Sequence, residues 1–185
     1  MKDDIARVLI SHDRIAARVA ELALKITHDH SASATDGEIA IVPIMTGAMI
    51  FCGDLIRQIP LRMKIGLLAV TSYPGSAVRS QGPRVLGQQL DRLAGRHVVV
   101  LDDILDSGQT LGAVVPMIQE LGPASVKSCV LLRKDRPSAR QTHVDYVGFD
   151  IPDEFVVGYG LDYNDYYRNL PDIVTLTPAA LRRHA

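Results

Sequence analysis

The side chains best suited to chemistry lie in one short segment near the middle of the chain. An apolar run, Val98–Leu101, leads into two adjacent carboxylates, and a turn with a third carboxylate follows after two more apolar residues. Carboxylates accept hydrogen bonds from sugar hydroxyls, and a glycine-containing turn at the start of a helix offers N–H groups and hydroxyls to a phosphate. The segment therefore predicts a sugar-phosphate site. Its candidate residues are Asp102, Asp103, Asp106, Ser107, Gly108, Gln109 and Thr110.

Residue types alone leave two other interpretations of this segment open. The Asp-Ser-Gly-x-Thr turn can serve only to connect a strand to a helix, with Asp106 or Ser107 as the N-cap. Asp102 and Asp103 can be metal ligands, because adjacent carboxylates at the end of an apolar strand are costly if they are buried without partners. If the strand continues through them, their side chains point to opposite faces. The segment is not a Walker P-loop, since it lacks the GxxxxGK[ST] spacing.

The bulk composition is that of a single globular domain. The chain has 185 residues, of which 47% are hydrophobic and 22% are charged, and this is enough for a substantial core. The net charge of -1 offers no global positive field for nucleic acid or for an anionic membrane. We therefore expect neither nucleic acid nor a membrane as a partner.

The cysteines and the N-terminal residues predict a cytoplasmic protein. Cys52 and Cys129 are far apart, lack CxxC spacing and lie in apolar runs, which indicates buried free thiols. The first residues contain no apolar signal-peptide core, and no apolar run approaches the ~18 residues that a membrane span requires.

Hydrophobic periodicity predicts the elements that position the candidate residues. Helices are expected at residues 12–29, 48–59 and 110–121, and Pro116 should kink the last of them or cost it a hydrogen bond. The alternation of strands and helices predicts an α/β fold with a mostly parallel sheet covered on both faces. The predicted strands are Glu38–Ile44, Lys64–Thr71, His97–Leu101, Ser125–Leu132, Val144–Phe149 and Phe155–Tyr159. Ligands of such sheets bind at the carboxyl ends of the strands, which directs attention to the loops that begin at Met45, Ser72, Asp102, Arg133 and Gly160.

The segment Ser72–Gln89 is a long polar excursion that is rich in glycine and proline. Long loops within a compact domain are often lids or binding loops. Part of this segment can also form a β-hairpin.

The acidic segment resembles the phosphoribosyl-pyrophosphate (PRPP) motif of type I phosphoribosyltransferases. That motif has four apolar residues, two acidic ones, two apolar ones and then Asp-Ser/Thr-Gly-x-Thr. The resemblance implies that Asp102 and Asp103 hold the ribose 2′- and 3′-hydroxyls and that the loop binds the 5′-phosphate. It also implies a single domain over residues 1–185, with a central, mostly parallel twisted sheet and helices on both faces. A small hood from the N- and C-terminal segments and a mobile lid at about residues 72–88 complete the implied fold.

A second resemblance narrows the family. The stretch Val147–Arg168 is similar to the carboxyl-terminal part of hypoxanthine-guanine phosphoribosyltransferases, and Ser72-Tyr73 matches the opening of that family's lid. The similarity runs from about Val42 to Leu170, which is most of the chain.

The second resemblance implies roles around a purine base. Lys134 donates to the 6-oxo group, Phe155 stacks on the base, and Val156 offers backbone groups to its edge. Asp106 is the general base that accepts the N7 proton. From residue types alone, Lys134 is also explained as a solvated cation at a strand end, and Phe155 as core packing.

It also implies roles around pyrophosphate. Asp162, with Asp102 and Asp103, forms the carboxylate side of a Mg²⁺ site, and Arg168 meets the pyrophosphate. Asp162 is otherwise a turn residue, and Arg168 otherwise a surface arginine.

The chain departs from the family in the loop after the first predicted strand. The family often has Leu-Lys-Gly-Gly there, whereas this chain has Met45-Thr46-Gly47-Ala48. Thr46 and Gly47 can still bind pyrophosphate through their main chain, with a non-proline cis peptide as one way to present it. The missing lysine removes a positive charge from that contact.

Together the resemblances imply purine salvage. The reaction is transfer of the 5-phosphoribosyl group from PRPP to N9 of hypoxanthine or guanine, with Mg²⁺ as cofactor, in a homodimer or homotetramer. Two alternatives stay open: a xanthine-preferring transferase, and a non-catalytic regulator of the same fold that binds nucleic acid.

Overall fold

Five α-helices, nine strands and a short 3-10 helix at Lys2–Asp4 lie in the part of the chain that the computed structural model describes, which comprises residues 1–31, 39–71, 84–90 and 93–183. The helices are α1 (His12–Ser31), α2 (Met49–Ile56), α3 (Gln109–Gln119), α4 (Pro137–Gln141) and α5 (Pro178–Arg183). The strands are β1 (Ile5–Ile10), β2 (Ile39–Met45), β3 (Met63–Ile65), β4 (Leu67–Thr71), β5 (Arg84–Gln89), β6 (His97–Leu105), β7 (Ser125–Lys134), β8 (Tyr146–Ile151) and β9 (Ile173–Leu176).

Seven of the strands form the central sheet. They lie in the order β5-β4-β2-β6-β7-β8, with β3 paired to β2. The pairings of β2 with β3, β4 and β6 are parallel, as are those of β7 with β6 and β8. β5 alone among these described strands runs antiparallel, beside β4. The predicted mostly parallel sheet is therefore confirmed.

Helices cover both faces of this sheet. Val99 and Leu101 of β6 pack in the core cluster that holds the apolar side chains of α1 and α2. Val98 and Val100 pack on the other face, in the cluster that holds those of α3. This alternation is expected of a strand buried on both faces. Because β6 continues through Asp102 and Asp103, these side chains also point to opposite faces, as predicted.

Helix α1 has the predicted apolar stripe. All of its predicted core positions are buried, and burial of each Ile, Val or Leu side chain among them contributes roughly 1.5–3 kcal/mol. These positions are Ile15, Val19, Leu22, Ala23 and Ile26. The end of α1 is tied to the sheet by Asp29, which accepts hydrogen bonds from Lys127 Nζ (2.9 Å) and Tyr146 Oη (2.7 Å).

Two predicted elements differ from the structure. Phe155–Tyr159 was predicted as a strand, but it forms only isolated bridges at Val157 and Gly158. The reason is backbone conformation, because Gly158, Tyr159 and Gly160 have φ of 100°, 51° and 102°, outside the β region. The predicted strand Lys64–Thr71 is divided at Gly66, whose N–H donates to Ile41 O at 2.9 Å. Pro116 lies inside α3, which continues past it to Gln119.

The polar excursion ends in a strand rather than in a loop. Its last part, Arg84–Gln89, is β5 and pairs with β4, so the β-hairpin interpretation is confirmed for those residues. Ser72 and Tyr73, the predicted opening of the lid, lie outside the described residues.

The two ends of the chain meet in a separate two-stranded sheet. β1 and β9 pair antiparallel, with Ile10 opposite Ile173. Asp4, just before β1, accepts a hydrogen bond from Tyr167 Oη (3.2 Å) and pairs with Arg183 (3.1 Å).

Both cysteines are buried and free, as predicted. Within the described ranges, no helix has the length and apolar character needed to cross a membrane.

Candidate active site

The carboxyl ends of β2, β6 and β7 bring most of the predicted site residues to one edge of the sheet. β6 extends four residues beyond its predicted end, to Leu105, which lies opposite Arg133 of β7. Lys134 is the last residue of β7. Thr46 directly follows β2. Parallel pairing of these three strands therefore places the acidic segment between the Thr46 loop and Lys134.

Asp102 is a buried carboxylate, and its neighbour Asp103 is half-buried. Burial raises the pKa of Asp102 well above its usual range, and the like charge of Asp103 raises it further. Burial also raises the pKa of Asp103, against the hydrogen bond that it accepts from Ile104 N (2.8 Å) and the positive charge of Arg168. Sugar hydroxyls or a cation would stabilise such a pair in its charged form.

The turn after β6 leads into α3 through Gly108. Gly108 has φ of 83° and is the N-cap residue of α3, which has no side-chain cap hydrogen bond. The interpretation of Asp106 or Ser107 as N-cap is therefore wrong. A Cβ at Gly108 would lie 2.1 Å from Thr142 Oγ1, so the turn requires glycine on both counts. Ser107 and Gln109 are exposed, and Thr110 is half-buried; their groups are accessible to a phosphate.

The Thr46 loop packs against the acidic segment through glycine. The Met45–Thr46 peptide is cis, and the Thr46 side chain is exposed. A Cβ on Gly47 would lie 2.0 Å from Asp103 Oδ2, and one on Gly160 would lie 2.2 Å from Gly47 O. Asp103, Gly47 and Gly160 thus form a close stack, which we call the glycine stack.

Gly160 belongs to a tight segment that runs to Arg168. Arg168 donates from Nη1 to Gly160 O (2.8 Å), and its Nη2 lies 2.9 Å from both Asp162 Oδ1 and Asp165 Oδ1. Asp162 Oδ2 also accepts from Asp165 N at 2.9 Å. The structure therefore joins the two predicted pyrophosphate-side residues in an ion pair, and Asp162 lies just before the turn at Asn164 and Asp165. Arg168 is not a free surface arginine.

Two tyrosines hold this segment in place. Tyr159 and Tyr167 have positive φ of 51° and 72°, an uncommon conformation for aromatic residues. Tyr159 Oη donates to Asp54 (2.7 Å), in α2, and Tyr167 Oη donates to Asp4 (3.2 Å). The contacts fasten the segment to α2 and to the start of the chain.

Lys134 and Asp106 meet in a cluster of four charges. Lys134 Nζ lies 3.1 Å from Asp106 Oδ2 and 3.7 Å from Asp153 Oδ1. Arg136 Nη1 lies 2.5 Å from Asp106 Oδ1, and Arg136 Nε lies 2.6 Å from Asp153 Oδ2. We call these four residues the charge quartet. Lys134 is only 7% exposed, so it is not the solvated strand-end cation of the alternative interpretation.

Neither Arg136 nor Asp153 is among the site residues that the sequence predicts. Arg136 lies in the loop after β7, one of the loops that the sheet prediction had marked. Asp153 lies two residues beyond the end of β8. Their charges and their position after strand ends were the available signal.

Phe155 and Val156 lie next to the quartet along the chain. Phe155 is 47% exposed and makes an edge-on contact with Tyr163, with ring centroids 5.3 Å apart. Core packing therefore does not explain Phe155. Val156 is buried, so its side chain anchors this segment in the core.

The carboxylates present suit a hard cation that is held mainly by its substrate. Among the described residues, no cluster of three or more His, Cys, Asp or Glu side chains is arranged to hold a metal ion. Mg²⁺ usually takes one or two protein carboxylates, and phosphate oxygens and waters complete its shell. The raised pKa values of Asp102 and Asp103 mark two carboxylates that a nearby cation would stabilise.

Comparison with known proteins agrees with this geometry. A family model described as phosphoribosyl transferase domain matches residues 9–164. The hypoxanthine-guanine phosphoribosyltransferase of Mycobacterium avium is 44% identical over 180 residues, 95% of this chain and 87% of that protein.

Solved structures give the same result. A hypoxanthine phosphoribosyl transferase of Trypanosoma cruzi, from work on its C-terminal region and oligomeric state, matches with a TM-score of 0.90 and 31% identity over 99% of this chain and 98% of its own. A mutant of the T. cruzi enzyme in complex with the product IMP matches with a TM-score of 0.86 and 32% identity over 97% of this chain and 94% of its own.

Proposed function

The chain belongs to the phosphoribosyltransferase family, and we propose that it is a purine-salvage enzyme. It transfers the 5-phosphoribosyl group from PRPP to N9 of hypoxanthine or guanine, and the products are IMP or GMP and pyrophosphate. The observation that carries this proposal is the 3.1 Å contact between Asp106 and Lys134. It joins the loop of the sugar-phosphate motif to a buried cation suited to a 6-oxopurine.

The phosphoribosyl group is held by the acidic segment. Asp102 and Asp103 accept hydrogen bonds from the ribose hydroxyls. The backbone and hydroxyls of residues 107–110 bind the 5′-phosphate at the start of α3. Thr46 and Gly47, through their main chain, and Arg168 contact the pyrophosphate.

The purine is oriented by Lys134, Phe155 and Val156. An ammonium offers donors only, so it favours the 6-oxo group over the exocyclic amine of adenine. Phe155 stacks on the ring, and the Val156 backbone meets its edge. As the N9 lone pair forms the bond to the anomeric carbon, the bond from that carbon to pyrophosphate breaks, and Asp106 accepts the proton from N7.

Mg²⁺ is the proposed cofactor, with Asp102, Asp103 and Asp162 as the residues that would hold it. When bound, it neutralises charge on the leaving pyrophosphate. Asp162 must exchange its contact with Arg168 for this role, and pyrophosphate is a natural new partner for the released guanidinium.

The assay that tests the proposal measures purified protein with PRPP, Mg²⁺ and four bases in parallel: hypoxanthine, guanine, xanthine and adenine. We expect turnover of hypoxanthine, guanine or both, and little of adenine. Absence of 6-oxopurine turnover would refute the proposal, and a preference for xanthine would replace it with the xanthine-preferring alternative. Nucleic-acid binding at physiological salt without turnover would support a regulator.

We also propose a single domain over residues 1–185, with β1 and β9 in its hood, that acts in the cytoplasm as a homodimer or homotetramer. The free thiols of Cys52 and Cys129 suit a reducing compartment. The similar T. cruzi protein was studied for its oligomeric state. Light scattering coupled to size exclusion gives the number of subunits, and a monomer at micromolar concentration would contradict the assembly.

A further inference from the structure

We propose that Arg136 is a positioning residue that holds the Asp106 carboxylate in the orientation needed to accept the purine N7 proton. The inference rests on the proposed function, because it concerns the part of Asp106 in that reaction. Arg136 lies between β7 and α4, outside the motifs by which the family was identified.

Each carboxylate of the charge quartet has one oxygen on each cation. Arg136 takes Oδ1 of Asp106 and Oδ2 of Asp153, at 2.5 and 2.6 Å. Lys134 takes Oδ2 of Asp106 and Oδ1 of Asp153, at 3.1 and 3.7 Å. The shorter distances are those of Arg136, and the two positive and two negative charges balance. A planar guanidinium that bridges two carboxylates fixes their orientation better than a point charge does.

The two cations have different tasks when a purine binds. Lys134 exchanges the Asp106 oxygen for the 6-oxo group, which leaves Oδ2 of Asp106 free. Arg136 stays on Oδ1 and keeps Oδ2 directed toward the base. The N7 proton then moves to Oδ2 as the new bond to N9 forms, so the step needs no reactant beyond the purine and PRPP.

The backbone of Arg136 is well anchored. Arg136 N donates to Lys134 O (2.9 Å) and Asp135 N donates to Ile151 O (2.8 Å), while Pro137 begins α4 immediately afterwards. Asp106, in contrast, lies in a turn with a side chain that is 44% exposed. Arg136 is therefore fixed by the β7–β8 edge of the sheet, and its side chain in turn holds the Asp106 carboxylate in place.

The charges within the quartet stabilise the contacts of Arg136 with Asp153 and Asp106. The hydrogen bond to Asp153, followed by the charge of Asp106, raises the pKa of Arg136 above its usual value. The hydrogen bond from Arg136 is likewise the largest cause of the lowered pKa of Asp153. Both partners of this contact thus stay charged at neutral pH.

Arg140 provides a matched control for substitution of Arg136. It also bridges two carboxylates, Asp135 and Asp150, at 3.1 Å each. Its side chain is 41% exposed, against 40% for Arg136. Neither of its partners belongs to the proposed site.

The experiment compares the steady-state kinetics of Arg136→Gln, Arg136→Lys and Arg140→Gln. For R136Q we expect kcat to fall roughly tenfold or more with the KM for PRPP within about twofold, because small misplacements of a reacting group are costly. R136K recovers part of the loss, and R140Q stays within about twofold of the wild type. A fall in kcat no larger than that of R140Q, or an equal change in kcat and in the KM for PRPP, overturns the proposal.

A double-mutant cycle tests whether Arg136 acts through Asp106. In the Asp106→Asn background, R136Q should change kcat by less than about twofold, because the group that it positions has lost its function. A further loss equal to that in the wild-type background overturns the proposal. Thermal unfolding checks that each variant is folded. If R136Q proves to be unfolded, R136K takes its place in the test. A kcat of R136K equal to that of R140Q then overturns the proposal.

The same experiment separates the two hypotheses. A wild-type protein that turns over neither hypoxanthine nor guanine refutes the proposed function. An active wild type with unaltered R136Q kinetics refutes only the role of Arg136.

Discussion

The Asp106 carboxylate contacts two cationic side chains, Lys134 and Arg136, in this structure. It is also the group that accepts the proton in the proposed reaction. For Asp106→Asn we expect kcat to fall by roughly 100-fold or more, because an amide cannot take up the proton. The KM for PRPP should change little, since the loop binds the phosphate through backbone and hydroxyl groups. Steady-state kinetics with hypoxanthine measure both. Asp135→Asn, which also removes a carboxylate from an arginine, is the control, and equal losses in kcat and PRPP affinity would point to a structural role.

Lys134 determines the choice of base in the proposed site. In Lys134→Ala, the ratio of kcat/KM for hypoxanthine to that for adenine should fall roughly tenfold or more, because the donor to the 6-oxo group is lost. Parallel assays with the two bases give this ratio. Lys127→Ala is the control on the same strand, where Lys127 binds Asp29 and Tyr146, and it should leave the ratio unchanged. An unchanged ratio in K134A itself removes Lys134 from the base site.

Some of these side chains could be predicted from the sequence and others could not, for a physical reason. Asp102, Asp103 and Asp106 are contiguous in a motif, so their proximity needs no tertiary information. Arg136 and Asp153 meet because Lys134 lies opposite Ile151 in the β7–β8 register. Each of the two residues lies two positions beyond that pair, and the register is known only from the folded sheet.

At the scale of elements, the glycine stack joins the Thr46 loop to β6. Gly47→Ala places a Cβ 2.0 Å from Asp103 Oδ2, so the loop or the carboxylate must move. Overpacking of this kind costs about 1–3 kcal/mol, and we expect the KM for PRPP to rise about tenfold. Titration of PRPP at saturating hypoxanthine measures it.

Gly53→Ala, in α2, is the control for this substitution. A Cβ there meets no atom within 4 Å, and alanine should stabilise the helix by about 0.5–1 kcal/mol. Equal PRPP kinetics in G47A and G53A would show that the stack does not matter for binding.

Strand prediction succeeded where burial is continuous and failed where glycines change the backbone. β2 and β6 are apolar and buried over most of their length, because helices cover both faces of the sheet. Phe155–Tyr159 has equally apolar residues, yet it contains Gly158 with φ of 100° and turns instead of pairing. Hydrophobicity alone does not distinguish a strand from such a segment.

At the scale of the whole molecule, Asp29 ties the end of α1 to β7 and β8. Hydrogen bonds from Tyr146 and Lys127 hold the pKa of Asp29 well below its usual value of 3.8. Because this pKa is depressed in the folded state, the stabilisation is present above about pH 4 and is lost as the pH falls through the folded-state value. Asp29→Asn should therefore lower the free energy of unfolding by about 1–2 kcal/mol at pH 7.

Urea unfolding at several pH values measures that effect. The difference between the wild type and D29N should narrow steadily as the pH falls below about 4. Asp13→Asn, an exposed residue in the first turn of the same helix, is the control and should show a smaller effect, below about 1 kcal/mol. A difference that is constant from pH 7 to pH 3 would contradict the assignment of the effect to the ionised carboxylate.

The architecture of the sheet could be predicted from alternating strands and helices, whereas the meeting of the two ends could not. β1 and β9 pair although most of the chain lies between them in the sequence. Neither strand has a residue pattern that identifies its partner. The hood thus followed from the family resemblance alone.

The glycine stack has a consequence for engineering of this protein. Gly47 and Gly160 have no room for a side chain, whereas their neighbour Thr46 projects its side chain into solvent. A combinatorial library for altered leaving groups or tighter inhibitors should therefore randomise position 46 and keep both glycines invariant.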